Sequence, residues 1–281
     1  MQGKTVVITG ATSGIGPIAA EALAAMGARL VLVARDKGRA AAALARLDGQ
    51  RQRTDHGVHY ADLSSLSDMR RVAGEISAAE PRIDLLVNNA GALFGSRRVT
   101  EDGLELTFAT NHMAYFLLTL GLRERLLQSA PARIVNTASG AHHGAHLDFS
   151  DLQMSRSYGG FAAYRRSKLC NILFTRELAR RLAGTGVTAN CFHPGFVATR
   201  FADGSGGIGA LAIRIAKVFA LSPADGAKTL VHLAASRKVE GVTGGYFHRS
   251  RPAVPSEAAC DDEAARRLWA ESERLAGLPS R

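Results

Sequence analysis

Tyr164 and Lys168 stand four residues apart in "FAAYRRSKLCNILF", and on a helix that spacing puts both on one face. A phenol is a poor acid or base near neutral pH unless its pKa falls. A neighbouring ammonium, or any other positive charge, favours the phenolate. Ser139, in "RIVNTASGAHH", adds a hydroxyl that could bond the same substrate oxygen. Together the three groups make a proton-transfer site. A Tyr and a Lys at this spacing also occur on ordinary helix surfaces, so the weight comes from what accompanies them.

The first companion is "TVVITGATSGIG". Val6, Val7 and Ile8 read as a short buried strand. Gly10, Thr12, Ser13, Gly14, Ile15 and Gly16 form a turn of the form T-G-x-x-x-G-x-G, followed by an Ala-rich helical pattern. The glycines sit where the chain must turn and where backbone can approach a ligand closely. A strand, a glycine-rich turn and a helix N-terminus suggest a cradle for a pyrophosphate. The end of the next strand tells cofactors apart. An acid there would bond a free ribose 2′-OH, whereas this chain has Ala34 and then Arg35, and a guanidinium pairs with a 2′-phosphate. The expectation is NADP, with NAD possible and Asp36 counting against the preference.

The elements that must hold these residues alternate along the chain. Strand-like "KTVVITG", "ARLVLVAR", "GVHYADLS", "IDLLVNNAG", "ARIVNTAS" and "GVTANCFHPG" are each followed by a helical pattern, including one long helix over "GLELTFATNHMAYFLLTLGLRERLL". Ser65 and Asp68 suggest the cap of the third helix. "GGYFHRS" is expected to close the set of strands, and a C-terminal helix is expected at about residues 261–276. Alternation of this kind predicts one α/β domain over residues 1–281, a doubly wound parallel sheet of Rossmann type. Ligands of such sheets bind beyond the C-terminal strand ends. The unusual residues gather there: Thr9-Gly10, Ala34-Arg35, Asp62, Asn88 to Gly91, Ser139 and His193-Pro194-Gly195.

T-G-A-T-S-G-I-G, N-N-A-G, a Ser closing the fifth strand, Y-R-R-S-K and a Pro-Gly after the sixth resemble, in order, the short-chain dehydrogenase/reductase family. "TNHMAYFLLT", "RIVNTASGAHH", "GVTANCFHPGFVATR" and "EAARRLWAESERLAGL" resemble its retinol dehydrogenase-like branch, so the likeness spans nearly the whole chain. The resemblance implies an NAD(P)-dependent oxidoreductase acting on an alcohol/carbonyl pair, with a small hydrophobic molecule as substrate and transfer of the pro-S hydride. It implies that Tyr164 is the general acid/base, that Lys168 lowers its pKa and binds the nicotinamide ribose, and that Ser139 polarises the substrate oxygen. Asn111 would serve the proton-relay water of Lys168 through a local helix distortion. Asp62 and Leu63 would meet the adenine, Asn89, Ala90 and Gly91 would line the cofactor cleft, and Pro194, Gly195, Val197 and Thr199 would contact the nicotinamide side. Ala138 departs from the two serines common at this point, but Ser139 keeps the catalytic position. A homodimer or homotetramer through the long helices is what the family usually forms. Residues 196–221, with Gly204, Gly206, Gly207 and Gly209 as hinges and "ALAIRIAKVFAL" as an apolar face, suggest a substrate lid.

Other classes fit less well. The formal net charge is +10 over 281 residues, but the arginine pairs are dispersed and form no block, so a nucleic-acid partner is not expected. Cys170, Cys191 and Cys260 have no C-x-x-C spacing, which fits a reducing compartment. The first strand begins almost at once, and the most apolar stretch is broken by Arg214 and Lys217. A cytoplasmic protein without the N-terminal anchor of the animal retinol dehydrogenases is therefore expected. His142, His143 and His146 invite a metal reading, but hydride transfer in this family needs none. A mobile substrate-side loop is the simpler expectation, with no metal site. His112 and His193 are expected to pack or hydrogen-bond at the cleft edges. Two rivals stay open: reduction of an activated C=C bond, and a non-catalytic NADP-binding regulator.

Overall fold

A computed structural model of the chain describes residues 1–49, 55–195 and 222–279. In chain order these form β1 (Thr5–Thr9), α1 (Gly16–Ala25), β2 (Arg29–Ala34), α2 (Lys37–Asp48), β3 (Gly57–Tyr60), α3 (Leu66–Ala79) and β4 (Leu85–Asn88). A one-turn helix, α4 (Leu106–Phe108), runs through a π turn at Ala109–Met113 into α5 (Ala114–Gln128). Then come β5 (Ala132–Thr137), α6 (Gly160–Arg181), β6 (Val187–His193), α7 (Pro223–Ala235), β7 (Tyr246–His248), β8 (Arg251–Pro252) and α8 (Asp262–Leu275). The expected lid, residues 196–221, lies outside the described residues.

The strands order as β3-β2-β1-β4-β5-β6-β7-β8, parallel throughout except for the last pair. The period of two in a strand sorts the core into two layers. Val7, Val31, Val33, Leu86, Ile134 and Ala189 face α3, α5 and α6. Val6, Ile8, Leu30, Leu32, Leu85, Val87 and Val135 face α1, α2 and α7. Strands buried on both faces must read as continuous apolar runs, and "VVI" and "LVLV" do. The order of strands reverses between β1 and β4, so a crevice opens at the C-terminal end of β1.

Several expectations change. β3 stops at Tyr60 and does not reach Asp62. Asp62 is already turning into α3: its carboxylate accepts from the Ser64 N–H at 2.9 Å and hydroxyl at 2.8 Å, and its own N–H donates to Asp68 at 2.7 Å. The cap is present as expected, with the Ser65 hydroxyl accepting from the Asp68 N–H. The single long helix over residues 103–127 is three pieces, because the π turn interrupts it. The antiparallel strand β8 was not expected.

One of the long helices expected to carry the assembly, α6, is covered along much of its length within the chain itself. α8 lies along α6, and from Ser167 to Ala179 every α6 residue but the half-buried Arg176 is buried. Trp269 of α8 packs on Phe116 and Phe174, and Arg176 pairs with Asp262 at 2.8 Å. Over that stretch α6 presents no free face to a partner.

Candidate active site

The turn after β1 is held by the segment after β4. The Thr9 hydroxyl accepts from the N–H groups of Asn89 and Ala90, both at 2.9 Å. The Asn89 amide donates to the carbonyls of Thr9 and Gly10 at 3.3 Å, and its oxygen accepts from the Thr137 hydroxyl at 3.2 Å. Gly10 has φ +70°, and a Cβ there would stand 2.8 Å from the Ala90 backbone. At Gly16 a Cβ would stand 2.0 Å from the Gly10 carbonyl oxygen. These two glycines therefore make room for the chain itself, which refines their expected role of admitting a ligand. Gly14, with φ +66°, is exposed on the turn beside Ser13.

α1 begins without a capping side chain and without an acid in its first turn. By contrast α2, α3, α7 and α8 are capped by Asp36, Ser65, Ser222 and Asp261. The uncapped N–H groups of α1 face the C-terminal edge of the sheet, where an anion would complete them. Arg35 is exposed immediately beyond β2, and its guanidinium lies 3.5 Å from Asp62. Asp36, the residue that counted against a phosphate there, accepts from the Arg39 N–H at 2.8 Å as the cap of α2. Its carboxylate is turned to that helix. Leu63 follows Asp62 in the same half-buried turn.

The residues expected to transfer the proton come together beyond β5. Ser139 caps a short 3-10 turn, its hydroxyl accepting from the Ala141 N–H at 3.1 Å and close enough to the Tyr164 phenol to favour its ionised form. One turn further along α6, the Lys168 ammonium donates to the Thr137 carbonyl at 3.0 Å and lies 5.6 Å from the Tyr164 ring centre. It also lies 5.7 Å from the ring centre of Tyr115. Asn111 sits in the π turn. Its oxygen accepts from the Ala92 N–H at 2.8 Å, and its amide donates to the Ala92 carbonyl and the Ser167 hydroxyl, both at 2.9 Å. Gly91 closes the cluster, since a Cβ there would stand 3.2 Å from the Asn111 oxygen and 3.4 Å from the Lys168 nitrogen.

Burial dominates the electrostatics. It pushes the Tyr164 phenol up to about 12, against the lowering effect of the Ser139 bond, and drives Lys168 down to about 7. Burial opposes the lowering expected from the ammonium, and it disfavours the charge of Lys168 as well.

The comparisons with known proteins follow this geometry. A profile described as short chain dehydrogenase matches residues 4–206. The chain belongs to the short-chain dehydrogenase family. It is 42% identical to retinol dehydrogenase 13 of Homo sapiens, over 98% of this chain and 85% of that one. A crystal structure of an uncharacterised protein from Mycobacterium paratuberculosis superposes with a TM-score of 0.77 at 30% identity, covering 99% of this chain and 94% of that one. A short chain dehydrogenase from Burkholderia cenocepacia in complex with NADP gives a TM-score of 0.70 at 27% identity, covering 88% and 96%. This dehydrogenase is thus an NAD(P)-dependent oxidoreductase acting on CH–OH donors. The uncapped helix, the Gly14 turn and the Gly91 opening beside Lys168 fit a dinucleotide.

Of the remaining predicted residues, Pro194 and Gly195 lie half-buried at the end of β6, with the Gly195 N–H donating to His193 Nδ1 at 3.0 Å. Val197 and Thr199 lie outside the described residues. The histidines depart from expectation. His142 is buried in an ordered turn, so a mobile loop does not describe it. His112 packs and hydrogen-bonds as expected, but does so fully buried beneath α8. Sequence reasoning missed Thr137, Ala92 and Ser167 as partners of Lys168 and Asn111. Ala92 and Thr137 act here through backbone groups, which leave no signature in residue type.

Proposed function

We propose that this dehydrogenase is an NADP-preferring oxidoreductase that interconverts a hydrophobic alcohol with its aldehyde or ketone, with Tyr164 as general acid/base. The observation that carries the reading is the grouping of Ser139, Tyr164 and Lys168, with the Ser139 hydroxyl acting on the Tyr164 phenol and the Lys168 ammonium 5.6 Å from its ring centre. The α1 N-terminus and the Gly91 opening would hold a nicotinamide cofactor, which would supply or accept the hydride. In reduction the Tyr164 phenol gives its proton to the substrate oxygen while the Ser139 hydroxyl bonds that same oxygen. In oxidation the phenolate takes the alcohol proton. Lys168 sits where a ribose hydroxyl and the phenol can both meet its ammonium. Asn111, fixed on Ala92 and Ser167, holds the neighbouring backbone in place for the relay to Lys168.

The NADP preference is supported by Arg35 beyond β2, with the Asp36 carboxylate committed to capping. The likeness to retinol dehydrogenase 13 supports an apolar substrate. The test is a panel of aldehydes, ketones and hydrophobic alcohols, retinal included, followed by nicotinamide absorbance with NADPH and with NADH. Turnover of apolar carbonyls with NADPH is the expected result. An unsaturated carbonyl compound reduced only at its C=C bond would contradict it.

A further inference from the structure

We infer that the C-terminal segment from Ser256 to Leu275 positions the catalytic cluster through two neutral, buried histidines, His142 and His112; the inference rests on the roles proposed for Ser139 and Asn111. Each histidine is a near neighbour of one of those residues, and each reaches across the fold to the same segment.

His142 Nδ1 lies 2.7 Å from the Ser139 carbonyl oxygen, and its Nε2 lies 3.0 Å from the Ser256 N–H. A carbonyl only accepts and an N–H only donates, so Nδ1 carries the proton and Nε2 accepts. The ring bridges the backbone of Ser139 to a residue 114 positions away. His112 follows Asn111 in the π turn. Its Nε2 lies 2.8 Å from the Ser272 hydroxyl, which itself donates to the Leu268 carbonyl at 2.7 Å. The hydroxyl hydrogen is thus committed along α8, and the Nε2–H of His112 is the donor. The two rings carry their proton on opposite nitrogens, and the His142 ring must be neutral for its Nε2 to accept from Ser256.

The segment is itself firmly seated. Arg181 stacks over Trp269 at 4.3 Å, Trp269 donates to Glu273 at 2.8 Å, and Phe116 lies 5.1 Å from Trp269, centre to centre. α8 therefore presents Ser272 from a fixed position, and the π turn is braced from outside at the residue beside Asn111. Core packing alone calls for apolar groups at these places. Two buried imidazoles, each hydrogen-bonded at one end to the C-terminal segment and adjacent at the other to a site residue, serve alignment, which fast chemistry needs to a fraction of an ångström.

The test uses His112→Leu, Ser272→Ala and His142→Leu in the full chain, with kcat, KM for NADPH and Tm read for each. The same changes are repeated in Asn111→Ala (for His112 and Ser272) and Ser139→Ala (for His142). A positioning role predicts that each single change lowers kcat about tenfold with KM for NADPH within about twofold. In the backgrounds lacking the positioned side chain, a further change should cost little more kcat while its effect on Tm persists. His112→Gln and His142→Asn, whose amides stand near the donor nitrogen of each ring, should keep most of the turnover. Tm losses with kcat unchanged, or kcat losses that multiply fully in the double variants, would overturn the inference. Full turnover by Asn111→Ala and Ser139→Ala would instead overturn the catalytic reading beneath it, and the inference with it.

Discussion

At the scale of single residues, burial decides the chemistry. With the phenol near 12 and Lys168 near 7, the free enzyme holds Tyr164 protonated across the working range. Carbonyl reduction needs that proton, so it is lost only as pH rises through the tyrosine's own titration. The kcat/KM for reduction should show no alkaline limb attributable to Tyr164 below about pH 10. Because Lys168 itself titrates near 7, the contradicting result is a limb below about pH 10 that persists in Lys168→Met. Arg35 is a second residue-scale case. Its guanidinium is exposed and only loosely paired with Asp62 at 3.5 Å, so it is available to a 2′-phosphate. Arg35→Ala should lower kcat/KM with NADPH about 10- to 100-fold, the worth of a charge-assisted hydrogen bond, and leave NADH nearly unchanged. Comparison of the two cofactors in both proteins checks it, and equal values unchanged by the substitution would refute the role.

At the scale of elements, the site is the meeting of four backbone turns. The residues proposed to do chemistry were legible in the sequence because side-chain type and local spacing carry them. Tyr164 and Lys168 share a face of α6, and Gly10 to Gly16 mark a strand-to-helix turn. What was not legible depends on distant backbone. Thr137 holds Lys168 by its carbonyl, and Ala92 holds Asn111 by both its main-chain groups. The π turn leaves no trace in the apolar pattern of "TFATNHMAYFLL", because a one-residue bulge keeps that pattern running on both sides; the distortion at Asn111 was expected from the family resemblance alone, and the π turn stands there. The glycines also changed meaning: Gly16 packs on the Gly10 carbonyl, a contact between two parts of one turn. Gly16→Ala should therefore cost about 1–3 kcal/mol or more from overpacking against backbone that cannot yield. Chemical denaturation checks this, and an unchanged midpoint would show that the turn has slack.

At the scale of the whole molecule, the parallel sheet supplies a rigid edge and the C-terminal segment closes over the helices that bear the site. That closure uses histidines buried in the neutral state, which ties folding to pH. Burial holds His112 down at about 3, and burial with neighbouring positive charge holds His193 at about 4. The unfolded chain takes up these protons near 6.5 while the folded chain resists them, so their contribution to stability is present above that value and lost as pH falls from 6.5 toward 3. Tm should decline steadily over this range, and His112→Gln should make the decline shallower. An identical slope in the variant would show that His112 does not contribute. The central claim, however, is that Tyr164 exchanges the proton with the substrate oxygen. Its most direct measurement is kcat for Tyr164→Phe with NADPH and the best carbonyl substrate of the panel. The account predicts a loss of at least about 100-fold with cofactor binding retained; turnover equal to that of the unaltered protein would contradict it.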